Sequence, residues 1–120
     1  MKYLLLLYGD EAGSADASPE DMSAMMREYE AFDALVKEAG VLAGGEGLEP
    51  TSAATTLRYA DGGLVRTDGP FAETREQLGG FYVLECKDLE EALGWAAKVP
   101  DLPAGGSVEV RPVIDYEAYG

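Results

Sequence analysis

The chain has 120 residues, 47% of them hydrophobic, and sets nine basic side chains against 23 acidic ones for a net charge of −14. That length predicts one domain over residues 1–120, with enough apolar content to build a core without staples. The acidity argues against nucleic acid and against anionic membranes, which are bound through clustered Lys and Arg. Cys86 is alone, so no internal disulfide calls for an oxidising compartment, and the expectation is a soluble cytoplasmic protein.

Tyr3 to Tyr8 is a continuous apolar run, too short to span a bilayer and lacking a cleavage site, and it predicts a strand buried on both faces. Gly9 to Ala17 reads as loop. Ser18-Pro19-Glu20-Asp21 opens a helix, with a capping serine, a proline at the first helical position and acids at the positive end of the dipole. Met22, Met25, Met26, Tyr29, Phe32, Val36 and Ala39 recur at helical spacing as one stripe, predicted to fill the core, and Gly40 closes the helix.

Val41-Leu42-Ala43 starts the next strand. Its continuation, Gly44-Gly45-Glu46-Gly47, lacks the spacing of a dinucleotide or phosphate loop and predicts a bulge or bend. Ala54–Ala60 and Leu64–Thr67 flank Asp61-Gly62-Gly63, a hairpin signal. Thr67-Asp68-Gly69-Pro70 ends it, because proline cannot donate to a ladder. A helical turn capped by Thr74 is expected within Phe71 to Leu78, and Gly79-Gly80 releases the chain into an apolar strand, Phe81 to Cys86.

Asp88-Leu89-Glu90-Glu91 begins a second helix whose stripe is Leu89, Ala92, Leu93, Ala96 and Val99, flanked by Trp95 and stopped by Pro100. Ser107 to Val113 alternates, as a strand with one wetter face does, and Tyr116 and Tyr119 in the tail are available for packing. With the hairpin set aside, the order is βαββαβ, the split βαβ arrangement of ferredoxin-like α+β folds. Two helices cover one face of such a sheet. The other, apolar along Tyr3–Tyr8 and Phe81–Leu84, predicts a homodimer in which a second copy covers it.

Asp68-Gly69-Pro70-Phe71-Ala72-Glu73-Thr74-Arg75-Glu76 resembles the DGPF-type branch of the YCII-related family. So do Lys2-Tyr3 to Tyr8-Gly9-Asp10, Gly44 to Leu48, Gly79-Gly80-Phe81-Tyr82 and Ser107 to Pro112. The resemblance implies ferredoxin-like subunits paired as a dimeric α+β barrel. It also implies small-molecule chemistry on aromatic or lactone-type compounds in some relatives, and a genomic association with sigma-factor-like regulators. A His–Asp pair has been proposed as those relatives' catalytic centre. This chain has no histidine, and it carries Val99-Pro100-Asp101 where relatives have Asp-Pro-Tyr, so that dyad cannot operate here.

The candidate site therefore centres on Asp68, as a general base or acceptor at a pocket mouth, or as an Asx-turn residue bonded to its own backbone. Gly69, Pro70, Phe71, Glu73 and Arg75 follow as candidate binding residues, with Tyr8 and Tyr82 offering hydroxyls from the strands. Each has a structural counterpart: solvated loop acid, surface ion pair, half-buried strand tyrosine. No histidine and one cysteine leave no zinc or nucleophile set, and no cofactor motif is present. Two functions remain: binding, and in the enzymatic reading transforming, a small organic molecule beside the Asp-Gly-Pro-Phe loop, or a non-catalytic binding or regulatory module.

Overall fold

A computed structural model describes residues 1–14 and 16–119; Ala15 of the first connecting segment and Gly120 of the tail lie outside the described residues. The elements run β1 (Lys2–Gly9), α1 (Glu11–Ser14), α2 (Pro19–Glu38), β2 (Leu42–Gly47), β3 (Thr55–Ala60), β4 (Gly63–Asp68), β5 (Gln77–Glu85), α3 (Leu89–Ala96) and β6 (Ser107–Pro112). One-turn 3₁₀ segments at Thr51–Ala53 and Tyr116–Tyr119 precede β3 and follow β6.

Four strands form an antiparallel sheet in the order β2-β5-β1-β6, and β3 with β4 form a separate two-stranded ribbon. Without that ribbon the topology is the ferredoxin-like split βαβ. Register assigns the two faces. Tyr3, Leu5 and Leu7 of β1 stand opposite Leu84, Tyr82 and Gly80 of β5, and Leu5 and Leu7 stand opposite Val110 and Val108 of β6. This is the helix-covered face: Phe32 and Val36 of α2, Ala92 and Ala96 of α3, and Val99 complete its core. Leu4, Leu6, Phe81 and Val83 occupy the opposite face and are half-buried.

α2 starts as its sequence dictates. Ser18 Oγ accepts from the Asp21 amide at 3.1 Å, the Asp21 carboxylate accepts from the Ser18 amide at 3.2 Å, and Gly40, at φ +75°, turns the chain out. Its apolar stripe divides. Phe32 and Val36 are buried, but Met22 and Met26 are 60% and 62% exposed, so the methionines do not fill the core. The reason is length: a twenty-residue helix spans about 30 Å and outruns the four-stranded sheet beneath it. α3 likewise buries only Ala92 and Ala96 and leaves Leu89 and Leu93 exposed. Small residues on the inner face let the helix sit close to the sheet.

The glycines of β2 make the expected bulge, between Leu42 and Gly44. A Cβ on Gly45 would lie 2.8 Å from the Phe81 carbonyl oxygen, so only glycine permits this approach of β2 to β5. β5 differs from expectation. It begins at Gln77 and takes Gly79 and Gly80 into the ladder, and no helical turn forms over Phe71–Glu76. The Thr74 hydroxyl donates to the Glu76 carbonyl and Gln77 Nε2 to the Thr74 carbonyl, which folds the segment into bends. The segment Gly9–Ala17 is also not wholly loop, since α1 makes one helical turn in it.

Residues 55–68 form a hairpin whose strands are almost wholly exposed. The Asp61-Gly62 turn has φ of 52° and 79°, both positive as a type I′ turn requires. The radius of gyration is 16.6 Å, against about 14 Å for a chain of this length packed into one ball. The ribbon is an arm, not part of the core.

Candidate functional site

A cavity of about 540 Å³ lies between the helix-covered face of the sheet and the C-terminal half of α2. Leu7 and Tyr82 reach it from the two central strands, and the glycine-rich backbone of β2 and β5 lets them form its floor. Tyr29 and Asp33 reach it from α2, four residues apart and so on one side of the helix. Asp101 arrives from the turn after α3.

Two hydrogen-bonded pairs tie these elements together. Tyr82 donates to Asp33 Oδ1 at 2.6 Å, and Tyr29 donates to Asp101 Oδ1. Burial, reinforced by these carboxylate partners, pushes both phenols above the ordinary tyrosine range. The pairs also act on each other: Asp101 adds to the rise at Tyr82, and Tyr82 adds to the rise at Tyr29. Both tyrosines are thus donors held to carboxylates, and neither is poised to act as a tyrosinate base.

Glu11 closes one end. Its carboxylate accepts from the Thr51 amide at 2.9 Å and the Thr51 hydroxyl at 2.7 Å, while its own amide donates to Gln77 Oε1 at 2.9 Å. α1, the turn before β3 and the start of β5 are fastened at one point. Among the described residues, no Lys or Arg lines this cavity, and no group of three or more His, Cys, Asp and Glu side chains is arranged to hold a metal ion.

A second cavity, of about 680 Å³, is lined by Tyr8, Asp10, Thr74, Arg75, Glu76 and Gly105. The bent segment after Pro70 therefore borders both cavities, with Thr74 to Glu76 on the second and Gln77 on the first.

The structure separates the residues singled out in the sequence. Tyr82 lines the first cavity, and Tyr8 and Arg75 line the second. Asp68 is exposed at the end of β4, opposite Thr55, and lines neither. Gly69, at φ +106°, turns the chain there, its amide donating to the Ala54 carbonyl at 2.7 Å and its carbonyl accepting from the Thr56 hydroxyl at 2.8 Å. Pro70 is half-buried, Phe71 is 77% exposed with its carbonyl bonded to Arg58, and Glu73 is exposed. Cys86 is 3% exposed, and burial pushes its thiol up, which suits the small buried hydrophobe expected of it.

Tyr29, Asp33, Glu11 and Asp101 are the residues that sequence reasoning missed. Tyr29 belongs to the apolar stripe by its spacing, and Asp33 lies beside that stripe on the same helix. The available signal was an aromatic hydroxyl and a carboxylate one turn apart at the border of the stripe. Asp101 carried no such signal, because its partner is 72 residues away.

A ferredoxin-like sheet with a hydroxyl- and carboxylate-lined cavity beneath one helix defines a small α+β protein. The chain belongs to the YCII-related family, whose domain it matches over residues 1–117. It is similar to an uncharacterised protein of Rhizobium meliloti (strain 1021), 43% identical over 118 residues that cover 98% of this chain and 95% of the relative. Among the described residues, no helix is long and apolar enough to cross a membrane.

Proposed function

We propose that this protein binds a small organic molecule in the cavity framed by Tyr29, Asp33, Tyr82 and Asp101. The observation that carries this reading is the cavity itself. At about 540 Å³ it has the size of a ligand site, apolar and aromatic walls, and a few convergent polar groups on separate elements. The Asp68-Gly69-Pro70-Phe71 stretch supports placing the chain in the DGPF-type branch, and the segment it leads into borders the cavity at Gln77. In this reading the loop shapes access, and Asp68, which lines neither cavity, acts through that loop. We further propose that a second copy covers the sheet face of Leu4, Leu6, Phe81 and Val83.

Gly47 provides the test of the cavity. It faces the same side as Gly80 and Tyr82, and a Cβ there meets nothing within 4 Å. Gly47→Leu fills the space without touching either tyrosine–carboxylate pair. A thermal-shift screen of small organic molecules should find stabilising compounds for the native chain, with the shift lost in Gly47→Leu. Shifts that persist in that variant would place binding elsewhere. Asp68→Asn is the companion variant: binding retained with any turnover abolished assigns Asp68 to chemistry, and no change in either assigns it to the turn alone.

The regulatory-module reading draws on a different observation. Leu57, Tyr59 and Leu64 share one face of the arm and are 58%, 82% and 61% exposed, a surface suited to docking on another protein.

A further inference from the structure

The cavity's charged groups are all of one sign. Tyr29 and Tyr82 already donate their hydroxyl hydrogens to Asp101 and Asp33, so each phenol has only oxygen lone pairs left to offer. Each aspartate has a second oxygen beyond the one that its tyrosine occupies. Glu11 adds another carboxylate at one end, and no Lys or Arg stands among the described lining residues. A ligand entering here finds acceptors and negative charge. A carboxylate or phosphate would meet repulsion with nothing to offset it, inside a chain whose net charge is already −14.

The walls add a second preference. The two tyrosine rings border the same space as the carboxylates, and aromatic faces attract cations through their quadrupole. Resting on the binding reading above, we propose that the ligand is an organic ammonium ion with a short apolar or aromatic body. Its N–H groups bond the second carboxylate oxygens of Asp33 and Asp101, and its body lies against Leu7 and the tyrosine rings. Charge-assisted N–H···O bonds to two carboxylates give orientation as well as affinity.

Three compounds of matched shape test this on the full chain at neutral pH: phenethylammonium, phenylpropanol and phenylpropionate, measured by calorimetry and thermal shift. The ammonium ion should bind, the alcohol more weakly, and the carboxylate not at all. Asp33→Asn and Asp101→Asn keep side-chain shape, and each should weaken ammonium binding about tenfold. Gly47→Leu should abolish it. Phenylpropionate binding as tightly as the ammonium ion, or ammonium binding that ignores both Asn variants, overturns the ammonium assignment. If such binding is still lost in Gly47→Leu, the cavity reading survives. Binding by none of the three overturns both.

Discussion

Tyr82 of β5 donates a 2.6 Å hydrogen bond to Asp33 of α2, and the same ring packs edge-on against Phe32, 5.0 Å between centroids. One side chain thus fixes the helix to the sheet beside the cavity, both through its ring and through its hydroxyl. Tyr82→Phe removes only the second contact. Because Asp33 is exposed and water can replace the phenol, the expected cost is about 1 kcal/mol. Tyr82→Ala also removes the ring contact with Phe32 and should cost about 3 kcal/mol. Urea unfolding should show the two variants stepping down in that order with an unchanged slope. Equal losses would mean that the ring contributes nothing.

The same pair makes stability depend on alkaline pH. Tyr29 and Tyr82 hold their protons more tightly in the folded chain than an ordinary tyrosine does, so above the ordinary tyrosine range the folded chain keeps protons that the unfolded chain has released. For a raised pKa, the contribution to stability is intact below the unfolded value and is lost as pH rises from there through the folded one. Stability should therefore fall from about pH 10 upward, more steeply in the native chain than in a Tyr29→Phe/Tyr82→Phe double variant. Tyrosinate absorbance gives the matching check. Subtracting the double variant's titration from that of the native chain should leave a component appearing only well above pH 10. A component centred at the ordinary tyrosine value would show that neither phenol is held by its aspartate.

Most of this fold is legible in the sequence because its elements are specified locally. Ser18 with Asp21, Gly40, Asp61-Gly62 and Asp88 each satisfy a backbone need within a few residues, and each sits where its spacing indicates. The cavity was not legible, because it depends on pairings across the chain. Tyr29 with Asp101 and Tyr82 with Asp33 join residues 72 and 49 positions apart. The errors in α2 and α3 have a related origin. Periodicity shows which side of a helix is apolar, but the sheet's width decides how many turns of that side find a partner. Met22 and Met26 fall beyond it, and Leu89 and Leu93 stand exposed on the flank of the line of Ala92 and Ala96. At Phe71–Glu76 local polarity suggested a helical turn, and side-chain bonds to the Glu76 and Thr74 carbonyls formed bends instead.

The arm's turn can be broken without touching the core. Gly62 has φ +79° and open space around its Cα, so Gly62→Val introduces backbone strain and no clash. A β-branched residue in that region costs about 1–2 kcal/mol. The ribbon makes its ladder only with itself, so the loss should be local. Amide exchange should accelerate across Thr55–Asp68 while protection in β1 and β5 is unchanged. Faster exchange in both sheets together would show that arm and body unfold as one unit.

The uncovered sheet face supplies the last prediction. Leu4, Leu6 and Val83 lie side by side on it, each half-buried by strand neighbours alone, while the buried residues of both helices pack on the other side. A soluble monomer rarely leaves a contiguous apolar patch of this kind in water, and a two-fold partner presenting the same patch would bury it isologously. Light scattering should therefore return about twice the 12.8 kDa chain mass. Leu6→Glu places a charge at the centre of the patch, opposite Phe81 and Glu109, and at a position where the isolated subunit still meets water. That variant should run as a folded monomer with native far-ultraviolet dichroism, because a charge at a contact between copies must be desolvated while a charge on a bare face need not be. A native chain running at the single-chain mass at micromolar concentration would remove the second copy from this account and leave the arm and the cavity as properties of one subunit.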